Sequence, residues 1–298
     1  MNTRTLALAL TLAVMGAAPA ATQEDFSAVE IKAEKVSDGL YMLTGSGGNL
    51  GLSVGEDGAF LIDDQYAPLT RKILAAVREL TPEPVRFVVN THYHDDHTGG
   101  NENMGEAGAL LVAHENVRRR MAAGTFMKAF NRQVEPAPAG ALPVVTFTDA
   151  VTFHWNGKEI RVFFVGPAHT DGDSIVHFVS ADVFHMGDTL FNGMYPFIDV
   201  SAGGRIDGMI AAVDRVLKVA TEKTRLIAGH GPLATRADLQ AYRDMLAEAR
   251  GRIAKLKAEG KTREQIVAAR PTADLDEKWG GGFMQPDVWV GLVYDSMD

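Results

Sequence analysis

The run Asn90-Thr-His-Tyr-His-Asp-Asp-His97 decides how this chain is read. It follows Val85-Arg-Phe-Val-Val89, which has the apolar, β-branched character of a buried strand. His92 and His94 are two apart, so in extended chain their imidazoles point to the same side. A turn then brings Asp96 and His97 back toward that side. Farther along, His169, Asp188 and His230 repeat the pattern in Val165-Gly-Pro-Ala-His-Thr-Asp171, His185-Met-Gly-Asp-Thr-Leu-Phe191 and Ala228-Gly-His-Gly231. In each, a strand runs out beside glycine or another small residue and a ligand is presented. Glycine there lets the backbone approach an ion closely and turn sharply. Imidazole and carboxylate together suit zinc and neighbouring transition metals. Seven such side chains are too many for one tetrahedral ion and the right number for two ions sharing a carboxylate.

The rest of the chain bounds that reading. Its 298 residues are 46% hydrophobic and 22% charged, an ordinary globular composition that can bury a large core without covalent staples. There is no cysteine, so neither disulfides nor thiolate ligands are available. Residues 1–20 read as an export signal: Arg4 is the positive start, Leu6 to Val14 the apolar run, Ala18-Pro-Ala20 the small-residue cleavage site. The apolar run is too short to span a bilayer as a mature helix. The expectation is an exported protein, periplasmic or secreted, with one domain over 24–298 that ends in a helical extension. A net charge of −9, made one unit more acidic by loss of Arg4, disfavours nucleic acid and anionic membranes. A small-molecule substrate is the expected partner, with no membrane insertion of the mature chain.

Short strands broken by glycine turns begin at Gly39. Gly55-Glu-Asp-Gly58 marks a hairpin, and Pro68 opens a helix to about Leu80 with Ile73, Ala76 and Val77 on one face. Strands are predicted at Ala109–Val112, Val144–Phe147, Val151–Trp155, Ile160–Val165, Ser174–Val179 and Val183–Met186, with Asn156-Gly157 as a turn. Ile206 to Leu217 and Leu239 to Leu256 carry helical periodicity. Residues 124–142 are the least regular interior stretch, either a loop bordering the site or a partly disordered surface segment.

The set His-X-His-X-Asp-His, a later His, an Asp in Gly-Asp-Thr-Leu-Phe and a final Gly-His-Gly resembles the metallo-β-lactamase superfamily, in order from about residue 39 to 232. The resemblance implies an α/β fold, a four-layer αβ/βα sandwich with the metals in a cleft at one edge of two facing sheets. It implies that His92, His94 and His169 hold one ion, Asp96, His97 and His230 a second, and that Asp188 bridges them. Two Zn2+ are expected, other divalent transition metals being possible. Two close cations would lower the pKa of a water between them and polarise a carbonyl, with Asp96 orienting the nucleophile and shuttling its proton. The reaction class is hydrolysis of an amide, lactone, ester or thioester, with β-lactam ring opening plausible.

Departures refine this. One branch of true β-lactamases uses a Cys ligand, absent here, and others lack the bridging Asp. Asp188 resembles instead the hydroxyacylglutathione-hydrolase, lactonase and general hydrolase branches. A mononuclear iron dioxygenase of the same fold is the alternative, because metal identity is not encoded in the ligands. For substrate contacts the expectations are Tyr195, as an oxyanion donor and catalytic residue, and Asn192, both following the Gly-Asp-Thr-Leu-Phe segment, with Tyr66 and Phe126 (and Phe130) as an apolar wall. Asp63 and Asp64 are candidates to hydrogen-bond ligand histidines or to cap a turn. Asp95 is read as solvent-facing, and Asp171 and Asp173 as supports for the His169 loop. His114, His154 and His177 are assigned structural roles, and His185 is read as a packed histidine. No Lys or Arg follows closely on Asp188 to grip a substrate carboxylate; Arg205 is the nearest.

Overall fold

The computed structural model describes residues 25–297; the export signal expected over residues 1–20 lies outside them. The first half builds a mixed sheet. Strands β1 (Lys32–Ser37), β2 (Leu40–Thr44), β3 (Leu50–Ser53) and β4 (Ala59–Ile62) pair antiparallel in sequence order. Helix α1 (Thr70–Leu80) then crosses over to β5 (Val85–Asn90), which lies parallel to β4. Two short helices follow, α2 (Asp95–Thr98) and α3 (Asn101–Glu106), then strand β6 (Leu110–His114) and helix α4 (Glu115–Ala123). Residues 124–142 are more regular than their sequence suggests. They form a hairpin, β7 (Thr125–Met127) with β8 (Arg132–Val134), turned by Asn131 at φ 48°. Strand β9 (Val145–Phe147) closes the sheet beside β6.

The second half builds the facing sheet. Strands β10 (Ala150–Trp155), β11 (Lys158–Phe164), β12 (Ser174–Phe178) and β13 (Val183–His185) pair antiparallel. Asn156 (φ 53°) and Gly157 (φ 67°) make the left-handed turn between the first two, as the Asn-Gly pair demands. Helix α5 (Ile206–Leu217) leads to β14 (Arg225–Ile227), parallel to β13, and β15 (Ala234–Thr235) forms the edge. Helices α6 (Arg236–Ala258), α7 (Arg263–Ala269), α8 (Asp276–Trp279) and α9 (Pro286–Asp295) complete the chain. Thr235 and Asp238 form a reciprocal cap that starts α6.

Period-two alternation assigns each strand residue to one of two apolar layers. Phe60, Ile62 and Val89 of the first sheet meet Val162, Val176, Phe178 and Val183 of the second, forming the inter-sheet core. Their neighbours Leu61 and Val88 face the opposite way, onto Ile73 and Val77 of α1. On the second sheet, Ile175 and Phe184 turn outward onto α5 and α6, where Met209, Val213, Leu239 and Leu246 lie. Helix, sheet, sheet, helix is the αβ/βα sandwich. Each fully buried Leu, Ile or Val in these layers contributes about 1.5–3 kcal/mol over exposure.

Candidate metal centre

Parallel pairing of β4 with β5 brings the ends of both strands to one edge of the sandwich, and the ligands of the first half emerge there. Asp63, just past β4, takes φ 59° and directs its carboxylate at the next loop. There it accepts the Thr91 N–H at 2.7 Å, the Thr91 hydroxyl at 2.8 Å and the Nδ1–H of His97 at 2.8 Å. Asp63 therefore supports a ligand histidine as well as shaping a turn. Asp64 accepts the Gly100 N–H instead, and burial raises its pKa well above the usual carboxylate range. His94 stands in extended conformation at the start of α2, so Asp96 and His97 return toward His92 on the helix's first turn.

The second half delivers His169 after β11, Asp188 after β13 and His230 after β14. Two clusters result: His92, His94, His169 and Asp188, and beside them Asp96, His97 and His230. In the first, His94 Nδ1 lies 3.1 Å from His92 Nε2 and 2.9 Å from His169 Nε2. In the second, Asp96 Oδ2 is 3.3 Å from His230 Nε2. Asp188 stands between them, Oδ1 at 3.1 Å from His97 Nε2, Oδ2 at 3.5 Å from His169 Nε2 and 3.4 Å from His230 Nε2. An ion about 2.0–2.1 Å from each nitrogen defines a tetrahedron with edges of roughly 3.3 Å, close to these separations.

Outer hydrogen bonds fix which nitrogen faces inward. His169 Nδ1–H donates to the Phe197 carbonyl (2.8 Å), leaving Nε2 as the ligand atom. The Thr91 hydroxyl, which donates to Asp63, accepts from His92 Nδ1–H, leaving Nε2 inward. His94 donates Nε2–H to Asp199 at 3.0 Å, and so presents Nδ1. Tyr93 donates to the same carboxylate at 2.5 Å. Asp199 is a functional residue that sequence reasoning missed. Its only signal is an acidic residue inside the apolar run Pro196-Phe-Ile-Asp-Val200, the pattern of a buried carboxylate that must be paired.

Close approach explains two glycines. A Cβ on Gly48 would stand 2.1 Å from the His97 ring, and one on Gly229 would stand 2.0 Å from Asp188 Oδ1. Asn49, beside Gly48, donates its amide to the carbonyls of Ala228 (2.9 Å) and Gly231 (2.8 Å), tying the first sheet to the His230 segment.

Electrostatics sorts the ligands. Burial lowers His92 well below the ordinary imidazole value and His169 to about 4, so both are neutral. Burial also opposes charge on His97 and His230, yet neighbouring carboxylates, Asp188 foremost, outweigh it, raising His97 well above its usual value and His230 to about 9. Asp188 in turn is held well below the carboxylate range, because His230, His97 and their neighbours overcome its burial. Without metal the second cluster carries protons where a cation would sit. Neutral His92 and His169, His97 and His230 whose protons a cation would displace, and the ionised Asp96 and Asp188 make a donor set that fits a divalent metal.

The expected substrate contacts fare differently. Tyr66 lines the cavity of about 340 Å³ above the centre, together with Asp96. Tyr195 does not. It is fully buried, stacked on Trp289 at 3.9 Å between ring centroids, and its hydroxyl donates to Asp276 at 2.9 Å. Its N–H donates to the Trp279 carbonyl, so the C-terminal helices have captured it. Asn192 also turns away, donating its side chain to the Pro232 carbonyl and its N–H to that of His230. Phe126 is exposed on β7; the apolar wall is Phe130, packed on Phe197 at 4.9 Å, with Met127 and Phe283. Asp95, expected to face solvent, pairs with Arg132. Asp173 accepts the N–H and hydroxyl of Thr170 and holds the His169 loop, while Asp171 binds Arg120 at 2.6 Å. His185 bridges the Gly187 N–H and the Asn49 carbonyl, and His114 caps α4, both structural roles.

Fold and centre together define the class, and comparison with known proteins agrees. A profile described as the metallo-beta-lactamase superfamily matches residues 43–264. The chain belongs to that superfamily. Over 108 residues it is 32% identical to a hydroxyacylglutathione hydrolase of Gloeobacter violaceus, covering 36% of this chain and 35% of that protein. The chain spans between 35% and 54% of the lengths of four curated relatives it matches. Among solved structures, a metallo-beta-lactamase from Pontibacter korlensis shares the fold at TM-score 0.63 and 20% identity, over 73% of this chain and 99% of that one. A stereoselective inverting sec-alkylsulfatase from a Pseudomonas species does so at TM-score 0.70 and 21% identity, over 89% and 50%.

Proposed function

We propose that the protein is a metal-dependent hydrolase that binds two zinc ions and attacks a carbonyl substrate (amide, ester, lactone or thioester). The observation that carries this is the pair of inward-facing ligand clusters joined by Asp188. The second cluster, complete in Asp96, His97 and His230, favours two ions over the mononuclear iron dioxygenase reading. Relatives named hydroxyacylglutathione hydrolase support hydrolysis as the reaction class. When bound, a pair of divalent ions supplies Lewis acidity and a water acidic enough to ionise near neutral pH.

The chain's own residues do the rest. Asp96 Oδ2, ligand-facing yet partly exposed to the cavity, accepts and returns the water's proton. Asp63, Thr91, Asp199 and the Phe197 carbonyl lock four imidazoles in one tautomer and orientation, so no reorganisation precedes reaction. Phe130, Phe197 and Phe283 limit water on the substrate's side of the centre. Ring opening of β-lactams is within this chemistry, and the proposal includes export by the signal expected from the sequence of residues 1–20, with the reaction outside the cytoplasm.

The test is a substrate panel on protein stripped by chelator and reloaded with zinc or, without oxygen, with iron. Zinc-restored turnover of a cephalosporin, a homoserine lactone or a thioester supports the reading. Activity that needs iron and oxygen, or phosphate-ester cleavage with silence on every carbonyl substrate, overturns it.

A further inference from the structure

The cavity over the metal centre has one strongly basic side chain, and it comes from an unexpected place. Arg132 is the sole Lys or Arg among the described residues that line it. It sits on β8, opposite the buried Met127 of β7 in the hairpin register. The hairpin is fixed from below: Phe130 packs on Phe197, and the Lys128 N–H donates to the Ser201 hydroxyl. The guanidinium reaches across to Asp95, the residue between ligands His94 and Asp96, bonding through Nη2. A guanidinium has five N–H donors in a planar fork, and among the described residues the Nε and Nη1 donors of Arg132 have no hydrogen-bond acceptor. The cavity's floor is formed by Asp95, Asp96, Asp188, His94 and His230, and its other wall is apolar, from Phe130, Phe197 and Phe283.

We propose that Arg132 is the specificity-determining residue of the site, receiving a carboxylate that the substrate carries away from its reacting carbonyl while the apolar wall holds the chain between. This rests on the hydrolase reading above. Asp96 and Asp188 belong to the metal clusters and Asp95 is paired with Arg132, so the guanidinium is the side-chain cation at the rim within reach of a carboxylate held away from the reacting carbonyl. Asp95 competes with the substrate for the same fork. It holds Arg132 over the cavity and gives up part of it when a carboxylate offers two-point contact.

The experiment compares two 4-nitrophenyl esters of equal chain length on the zinc-loaded full chain: the glutarate monoester, with a free carboxylate, and the neutral pentanoate. Each takes up one water, breaks its acyl C–O bond and releases 4-nitrophenol with the acid. The expected preference in kcat/KM for the anionic ester is about ten- to a hundredfold. Arg132→Met should bring the ratio toward one, mainly by raising KM for the glutarate. Arg132→Lys should keep part of the preference, and Asp95→Asn should enlarge it. Equal slowing of both esters by Arg132→Met would mean a hairpin latch only and would overturn the proposal, as would a preference that survives the substitution. If neither ester turns over, the hydrolase reading is judged by the wider substrate panel above and not by these esters. Calorimetry with the corresponding 4-nitroanilides then decides this proposal: binding of the glutaric anilide that Arg132→Met abolishes sustains it, and binding indifferent to residue 132 ends it.

Discussion

Asp63 Oδ2 lies 2.8 Å from His97 Nδ1, and both side chains are fully buried. The carboxylate sets the tautomer of a ligand whose other nitrogen is 3.1 Å from Asp188. Replacing such a partner costs metal affinity while leaving the ligand in place. Asp63→Ala should lower zinc affinity about 10- to 100-fold, read by competition with a chromogenic chelator. Unchanged affinity would remove Asp63 from the centre's support.

A second substitution acts by crowding rather than chemistry. Gly48 leaves no space for a methyl group beside His97, the nearest ring atom being 2.1 Å from the Cβ position. If the site holds two zinc ions as proposed, Gly48→Ala should displace His97 and cut bound zinc toward one ion per chain, measured by elemental analysis after gel filtration. Full occupancy in a folded variant would show that the loop yields instead.

Protons and metal compete for the second cluster. His230 in the metal-free fold titrates at about 9, raised against its burial by Asp188 and Asp96. A folded-state pKa above the unfolded one contributes stability that is present below pH 6.5 and lost as pH rises through about 9. Metal-free protein should therefore lose this contribution across that window, whereas the zinc-loaded form, with His230 already neutral, should not. The Tm difference between loaded and chelator-treated protein should widen from pH 6.5 to pH 9.5. Zinc uptake at pH 7 should release protons, detectable as a buffer-dependent heat. A difference that narrows with pH would contradict this.

Tyr195→Phe is expected to leave turnover unchanged. The hydroxyl's bond to Asp276 lies among the C-terminal helices, so its loss should cost about 0.5–1.5 kcal/mol of unfolding free energy in denaturant titration. A fall in kcat with unaltered stability would return Tyr195 to the site.

The ligands were legible because each is announced locally. His92 to His97 follow a strand that reads as buried, and His169, Asp188 and His230 sit beside small residues whose use is backbone approach. The layers were legible too, since Leu61 and Ile62 declare by alternation which sheet face each serves. The surroundings of the centre were not. Asp199 reaches His94 from more than a hundred residues along the chain, and nothing in its own neighbourhood names that partner. Tyr195 follows the Asp188 segment closely, but Phe191 pairs with His230 and the chain then turns under Trp279, away from the cleft. Arg132 and Phe283 enter the cavity on elements placed wholly by tertiary packing.

The seven ligands are divided between the two sheets, with Asn49 stitching the first to the segment that carries His230. The first sheet by itself supplies only His92, His94, Asp96 and His97. The full donor set is assembled only when both sheets have met, so in the proposed two-ion protein metal binding would favour the closed sandwich over any state in which the sheets are apart.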